Sequence, residues 1–301
     1  MPRFECQTCG ARLRLNDRER ATTCAYCASP SVIDRPPTTD RPNPSFALGF
    51  AVPRERALEH ARRWVKRALL SPRAFRRATI DAIRGVYVPA YLYTAAAYSF
   101  YRAEIGEAYT EEERYTTRDD NGNPVEKTRE VTRYEWRSLS GDHAVYISDH
   151  VVTASHGLPD HELQGVTPFD LRTLRRYSAA LISGWAAEEP SLTGEESLVI
   201  ARAAARSRAR SQLDDFMPGD RHRLIRTETE FHDEHMELTL LPLWVLPVRY
   251  DSARPPVRLL VNGQTGRVWG RAPISLVKVL ALAALALTLA VLAYFLATPG
   301  G

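Results

Sequence analysis

The chain has 301 residues, enough for one medium-sized domain or two small ones with accessory segments. Hydrophobic residues make up 44% of it and charged residues 25%, a balance that excludes a disordered chain and is typical of a folded protein. The formal net charge of +4 is too small to indicate a nucleic-acid partner by itself.

The cysteines form two tight pairs near the N-terminus: Cys6, Cys9, Cys24 and Cys27. A secreted disulfide framework would spread its cysteines over the chain, so this clustering favours a metal site in a reducing compartment. Two Cys-x2-Cys pairs can place four thiolates tetrahedrally around one Zn²⁺, and Gly10 allows the sharp turn after the first pair. A site closed by four thiolates predicts a structural zinc. The zinc-bound segment would be either a docking surface for protein or nucleic acid, or a structural cap that the metal holds together.

These motifs predict a fold of the α+β class. We assign residues 1–34 to a zinc ribbon and 35–52 to a stiff, proline-rich linker. An α+β domain would follow over residues 53–273, because helical periodicity alternates there with strand patterns.

The α+β domain shows a possible internal duplication. Helical periodicity over residues 53–70 precedes the strand pattern of Val88–Tyr93, and an Ala/Arg-rich helix over 193–216 precedes Leu241–Leu246. Both strand patterns place an aromatic residue soon after a proline, which favours two copies of a helix packed on an antiparallel sheet. The candidate repeats span residues 53–155 and 193–271.

An uncharged apolar run ends the chain, from Val279 to Ala297. At ~1.5 Å per residue its helix would be roughly 28 Å long, close to the thickness of the bilayer core. We therefore expect a single transmembrane helix over residues 275–297, similar to a tail anchor. Basic residues precede the run, so the positive-inside rule predicts a single-pass protein of the cell membrane with its N-terminal domain in the cytoplasm.

The charge pattern offers one candidate contact surface. Between Arg54 and Arg84 the chain has ten basic residues against three acidic ones. Such a surface could contact anionic lipid headgroups, nucleic acid or an acidic protein, or it could be a solvated helix face. The candidate contact residues are Arg62, Arg63, Lys66 and Arg67.

No motif in the sequence predicts catalysis. The phosphate-binding loop, the dinucleotide fingerprint and the nucleophile elbow are all missing from the sequence. His232 and His235 flank two acidic residues, but they lie between strand patterns, where a charged hairpin tip explains them better than a metal site. We therefore expect a protein that is not an enzyme.

Several segments together resemble a family of bacterial membrane-anchored proteins with a TFIIB-type zinc ribbon, which are often called replication factor Y- or helicase-like. The matching segments are Cys6-x2-Cys9-Gly10, Cys24-x2-Cys27, Trp64-Val65-Lys66-Arg67 with Pro72, Arg84-Gly85-Val86-Tyr87-Val88-Pro89, Leu241-Pro242-Leu243-Trp244 and Val261-Asn262-Gly263-Gln264-Thr265-Gly266. Some members are similar to membrane partners of phage-shock-type and SPFH-domain proteins in envelope stress. The resemblance implies a scaffold that recruits soluble partners to a membrane.

The sequence therefore predicts a membrane-tethered adaptor that binds protein partners at the cytoplasmic face of the bilayer. The alternative is a membrane-associated nucleic-acid-binding protein that uses the ribbon and the basic helix. A steep salt dependence of DNA affinity would favour the alternative.

Overall fold

The computed structural model describes residues 3–14, 24, 26, 32–34, 42–80, 82–118, 123–251 and 253–297. The strands are β1 (Arg3–Cys6), β2 (Arg12–Arg14), β3 (Val32–Asp34), β4 (Phe46–Ala47), β5 (Arg84–Arg118), β6 (Pro124–Thr153), β7 (Arg175–Arg176), β8 (Ala186–Glu188), β9 (Arg221–Val248), β10 (Val257–Asn262) and β11 (Val268–Gly270). The helices are α1 (Arg54–Arg67), α2 (Arg73–Arg76), α3 (Asp160–Val166), α4 (Gly194–Phe216) and α5 (Leu276–Ala297), with one 3₁₀ turn at Leu171–Thr173.

The strands form a mixed sheet with the order β11-β10-β9-β5-β8-β2-β1-β3, and β4, β6 and β7 pair outside this path. β9 and β10 are antiparallel, whereas β5 runs parallel to β8 and β4 runs parallel to β9. The α+β class is therefore confirmed, but the sheet is mixed where a purely antiparallel one was expected.

The chain divides into two compact units. The first comprises Met1–Leu92, Val151–Ser197 and Glu237–Gly301, and the second comprises Tyr93–His150 and Leu198–Met236.

In the first unit, the N-terminal strands are part of the main sheet and its core. β2 pairs with β8, so that Leu13 lies opposite Glu188. Cys6, Leu13 and Tyr26 belong to the same buried cluster as Val86. The sequence suggested an N-terminal module set apart by a proline-rich linker. In the structure, β1 pairs with β2 and β2 pairs with β8 of the larger sheet, and residues 35–41 of the predicted linker lie outside the described residues.

A second cluster in the same unit buries one face of α1. Ala57, Ala61 and Val65 recur at four-residue spacing, which places them on one side of the helix. They pack with Trp244 and Leu246 of β9. Because this face is apolar, the arginines and the lysine of α1 are left on the opposite, solvent-facing side.

The second unit contains parts of β5, β6 and β9 with most of α4. Cross-strand ion pairs such as Glu113–Arg129 at 2.7 Å join β5 to β6. The hydroxyl groups of Ser99 and Thr229 lie 2.9 Å apart between β5 and β9. Each exposed ion pair of this kind is worth only about 0.2–1 kcal/mol, so the buried face of α4 contributes more. That face presents a row of apolar residues at four-residue spacing: Ala201, Ala205, Ala209 and Leu213.

The predictions concerning the membrane require correction. In the part of the chain that the structure describes, no helix is both long and apolar enough to cross a membrane. Helix α5 does form, but Lys278 in its first turn donates hydrogen bonds to the carbonyls of Leu69 and Ser71. This finding overturns the predicted transmembrane helix over residues 275–297, the tail anchor and the single-pass location in the cell membrane with a cytoplasmic N-terminal domain.

Candidate metal centre

Three of the four cysteines converge on one point. The Sγ atoms of Cys6, Cys9 and Cys24 all lie within 4.8 Å of one another, and those of Cys9 and Cys24 are 3.6 Å apart. Tetrahedral coordination with metal–sulfur bonds of about 2.3 Å places two sulfurs roughly 3.8 Å apart, so the observed spacing suits a shared ion. None of the three forms a disulfide. These cysteines can therefore hold a metal ion, while Cys27 lies outside the described residues.

The first cysteine pair is held by a tight turn after β1. The amide of Cys6 donates to the carbonyl of Ala11 at 2.9 Å, and the amide of Gly10 donates back to the carbonyl of Cys6 at 2.8 Å. Gly10 adopts a φ of +71°, in the left-handed region that L side chains rarely adopt. A Cβ there would also lie 3.3 Å from the Cβ of His156. The glycine is therefore required by the turn, as the sequence predicted.

Cys24 is connected to the sheet through Tyr26. Its amide donates to the Sγ of Cys24 at 3.4 Å, and its hydroxyl donates to a carboxylate oxygen of Glu188 at 2.6 Å. The hydroxyl of Ser155 donates to the other carboxylate oxygen. Tyr26 is fully buried and Glu188 is 2% exposed, so the carboxyl group depends on the hydrogen bonds from these two hydroxyls and from the backbone of Arg12.

Burial changes the acidity of both partners in this contact. It raises the pKa of Glu188 from 4.5 to about 7, even though the hydrogen bonds from Ser155 and Tyr26 act in the opposite direction. Burial also raises the pKa of Tyr26 well above its usual value, and the neighbouring Glu188 adds to that effect. Near neutral pH, the Glu188 carboxyl is thus close to equal populations of its two protonation states.

An arginine from β10 completes the surroundings of Tyr26. The guanidinium carbon of Arg258 lies 5.6 Å from the centre of the Tyr26 ring, within range of a cation–π contact. The same guanidinium donates to the carbonyl of Gly157 at 2.7 Å and to the carboxylate of Glu162. The metal centre is therefore fixed to the sheet by a polar network whose members are distant in sequence, and no sequence pattern identified them.

The four candidate contact residues of α1 separate into two surfaces. Arg62 and Lys66 line a groove shared with the segment after α2, whereas Arg63 and Arg67 line a smaller hollow beside Val268. In the described part of the chain, none of these four side chains forms an ion pair with a carboxylate. Their role as contact residues stays a prediction.

Of the two acidic residues between His232 and His235, Glu234 has a structural role. Both acidic residues lie within β9 and not at a hairpin tip. Glu234 accepts hydrogen bonds from the guanidinium of Arg202 and, at 2.5 Å, from the hydroxyl of Tyr93. The hydrogen bonds from Arg202 lower the pKa of this carboxyl. The negative charge of Glu234 is therefore paired with Arg202 within the second unit.

The segment around Asn262 is also structural. Asn262 is fully buried, and its amide nitrogen donates to the carbonyls of Val166 and Pro168. Its side-chain oxygen accepts from the amides of Gln264 and Thr265. One side chain thus fixes the turn between β10 and β11 against the segment that follows α3.

Fold and site together define a cluster of three thiols that could hold a metal ion, near one edge of a mixed α+β sheet. No family model and no solved structure matches the chain. The chain is similar to the uncharacterized protein YdjG of Bacillus subtilis strain 168, with 27% identity over 247 residues. The alignment covers 79% of this chain and 66% of that protein, so the chain spans just under two thirds of the length of its relative.

Proposed function

We propose that the chain is a non-enzymatic adaptor, in which one structural zinc ion is bound by Cys6, Cys9, Cys24 and Cys27 and a separate hollow binds protein segments. The convergence of three thiols inside the core of the first unit is the observation on which this proposal rests. A metal at this position would stabilise the N-terminal strands of the first unit and would take no part in chemistry.

The donor set favours zinc in a structural role. Thiolates are soft ligands that suit Zn²⁺, and a fourth sulfur from Cys27 would close the coordination shell. Cys6 and Cys24 are almost fully buried, which limits access for a substrate. Strands of three or four residues bury little surface of their own, so metal binding would contribute to their folding.

An aromatic hollow in the first unit is the partner surface that we propose. The rings of Phe50 and Trp185 stack with their centres 4.2 Å apart, and the ring of Trp244 lies 4.9 Å from Phe50. The orientation of the Trp244 ring is fixed by a hydrogen bond, because its indole nitrogen donates to the carbonyl of Val52 at 2.9 Å. The hollow has a volume of about 550 Å³, within the range of ligand sites. Rigid aromatic walls of this kind provide most of the binding energy in many protein interfaces.

Arg54 indicates which kind of peptide would bind in the hollow. It lies on the rim of the hollow, exposed, and in the described part of the chain it has no carboxylate partner. A peptide with an aromatic or large aliphatic side chain next to an acidic residue would fill the hollow and pair with Arg54. We propose that the partner is a protein segment in which a large apolar side chain lies next to an acidic residue.

Selection from a random peptide library on the full chain tests this function. We expect enrichment of peptides with a large apolar residue beside Asp or Glu. Trp185→Ala should weaken them at least about tenfold through lost aromatic contact, and Arg54→Glu should weaken them similarly through charge repulsion. The matched control is Trp136→Ala, which removes a tryptophan that is 42% exposed and outside the hollow. No enrichment, or equal binding by Trp185→Ala and wild type, would contradict the proposal.

A further inference from the structure

A second concave surface, which we call the basic groove, lies between α1 and the segment that follows α2. Arg62 and Lys66, one helical turn apart on α1, form one side of it. Arg76 and Arg77 form the opposite side, and the groove has a volume of about 570 Å³. This site is separate from the metal centre and from the aromatic hollow, since they share no lining residue.

The basic groove has an unbalanced charge. It is lined by four cationic side chains and, in the part of the chain that the structure describes, by no carboxylate. Among the described residues, none of the four forms an ion pair with a carboxylate, so no described acidic side chain neutralises them. Like charges gathered in a concave surface raise the local positive potential and attract a multiply charged anion.

One of these cations is held in place by the fold. Arg76 is half-buried, and its Nε donates to the backbone carbonyl of Lys66 at 3.2 Å, which joins the two sides of the groove. The remaining guanidinium nitrogens are left to contact a ligand. Val65 and Ile80 are buried beneath the groove and provide a rigid apolar base. A preorganised arginine with its planar fork is well suited to phosphate oxygens.

We propose that the basic groove binds a small anion that carries two or more adjacent phosphate groups. A single phosphate would engage only part of a groove of this volume, whereas a polyphosphate chain can contact cations on both sides. The ligand could be a free inorganic polyphosphate or the phosphate chain of a nucleotide, because both present the same oxygens. This inference is independent of the adaptor function proposed above.

Calorimetric titration of the full chain with inorganic tripolyphosphate tests the proposal. The chain should be kept in a non-ionic detergent, because the apolar side chains of α5 are exposed. The double variant Arg62→Gln/Lys66→Gln should bind about 100-fold more weakly, at about tenfold for each lost charge-assisted contact. The control Arg63→Gln/Arg67→Gln removes the same charge from the other side of the same helix, and it should change the affinity by less than about threefold.

A parallel titration with ATP distinguishes the two sources of phosphate. Tighter binding of ATP than of tripolyphosphate supports a nucleotide, and equal binding supports an inorganic chain. Should the first double variant lose its circular dichroism spectrum, the exposed Arg77→Gln replaces it. The proposal is overturned by absence of binding at millimolar tripolyphosphate, by equal weakening in both double variants, or by binding of a DNA duplex without binding of tripolyphosphate.

Discussion

Replacement of Glu188 by Gln should change how stability depends on pH. The folded chain raises the pKa of this carboxyl from 4.5 to about 7, because burial disfavours the charged form. The folded state therefore holds the proton more tightly than the unfolded state. Its contribution to stability is fully present below pH 4.5 and is lost as the pH rises to about 7.

The size of the effect follows from the two pKa values. A separation of about 2.5 pH units corresponds to about 3 kcal/mol in total, of which about 2.5 kcal/mol lies between pH 5 and pH 8. Gln cannot ionise, and its amide oxygen can still accept from the hydroxyl of Ser155 while its amide nitrogen donates to the phenolic oxygen of Tyr26. We expect Glu188→Gln to gain about 2.5 kcal/mol relative to wild type when the pH is raised from 5 to 8.

Urea unfolding of the full chain at pH 5, 6, 7 and 8 measures this difference. Loss of metal at low pH affects both proteins alike, so the comparison of wild type and variant removes it. Glu112→Gln is the matched control, because its side chain is exposed and has no ion pair in the described part of the chain, so it should give the same difference at every pH. If Glu188→Gln also tracked wild type across this range, the buried, partly protonated carboxyl that we describe would be refuted.

Two further substitutions test the turn between β10 and β11. Asn262→Ala removes four hydrogen bonds from a fully buried site and should lower the free energy of unfolding by about 3 kcal/mol in urea titrations, and wild-type stability would contradict its bridging role. Gly266→Ala should cost about 2 kcal/mol or more, because Gly266 has a φ of +75° and a Cβ there would lie 2.6 Å from the His60 ring. Gly49→Ala is its control, since a Cβ at Gly49 meets no atom within 4 Å and should change stability by less than about 0.5 kcal/mol. Equal effects of the two alanines would contradict the steric argument.

Local patterns in the sequence predicted local structure well. The Cys-x2-Cys spacing identified thiols that do converge, and Gly10 was recognised from the turn that such a pair requires. The apolar spacing of α1 and the Ala/Arg pattern of α4 also gave helices close to the observed ones. These features depend on residues only a few positions apart, where backbone geometry determines which side chains share a face.

Long-range contacts could not be predicted in this way. Tyr26 and Glu188 are 162 positions apart, and no periodicity links them. The pairing of β2 with β8 likewise depends on which sheet edge is free after the rest of the chain has folded. The apolar run at the end of the chain suggested a membrane span from composition alone, and the structure corrected that interpretation.

Metal analysis of the purified full chain is the most direct test of the zinc centre. By elemental mass spectrometry, the wild-type chain should contain about one zinc ion, as expected for a closed site of four thiolates. Cys24→Ser and Cys27→Ser should each reduce the zinc content to less than about a tenth of an ion per chain, because three thiolates bind the ion far more weakly than four. A wild-type ratio near zero, or a full zinc ion retained by Cys27→Ser, would contradict the account.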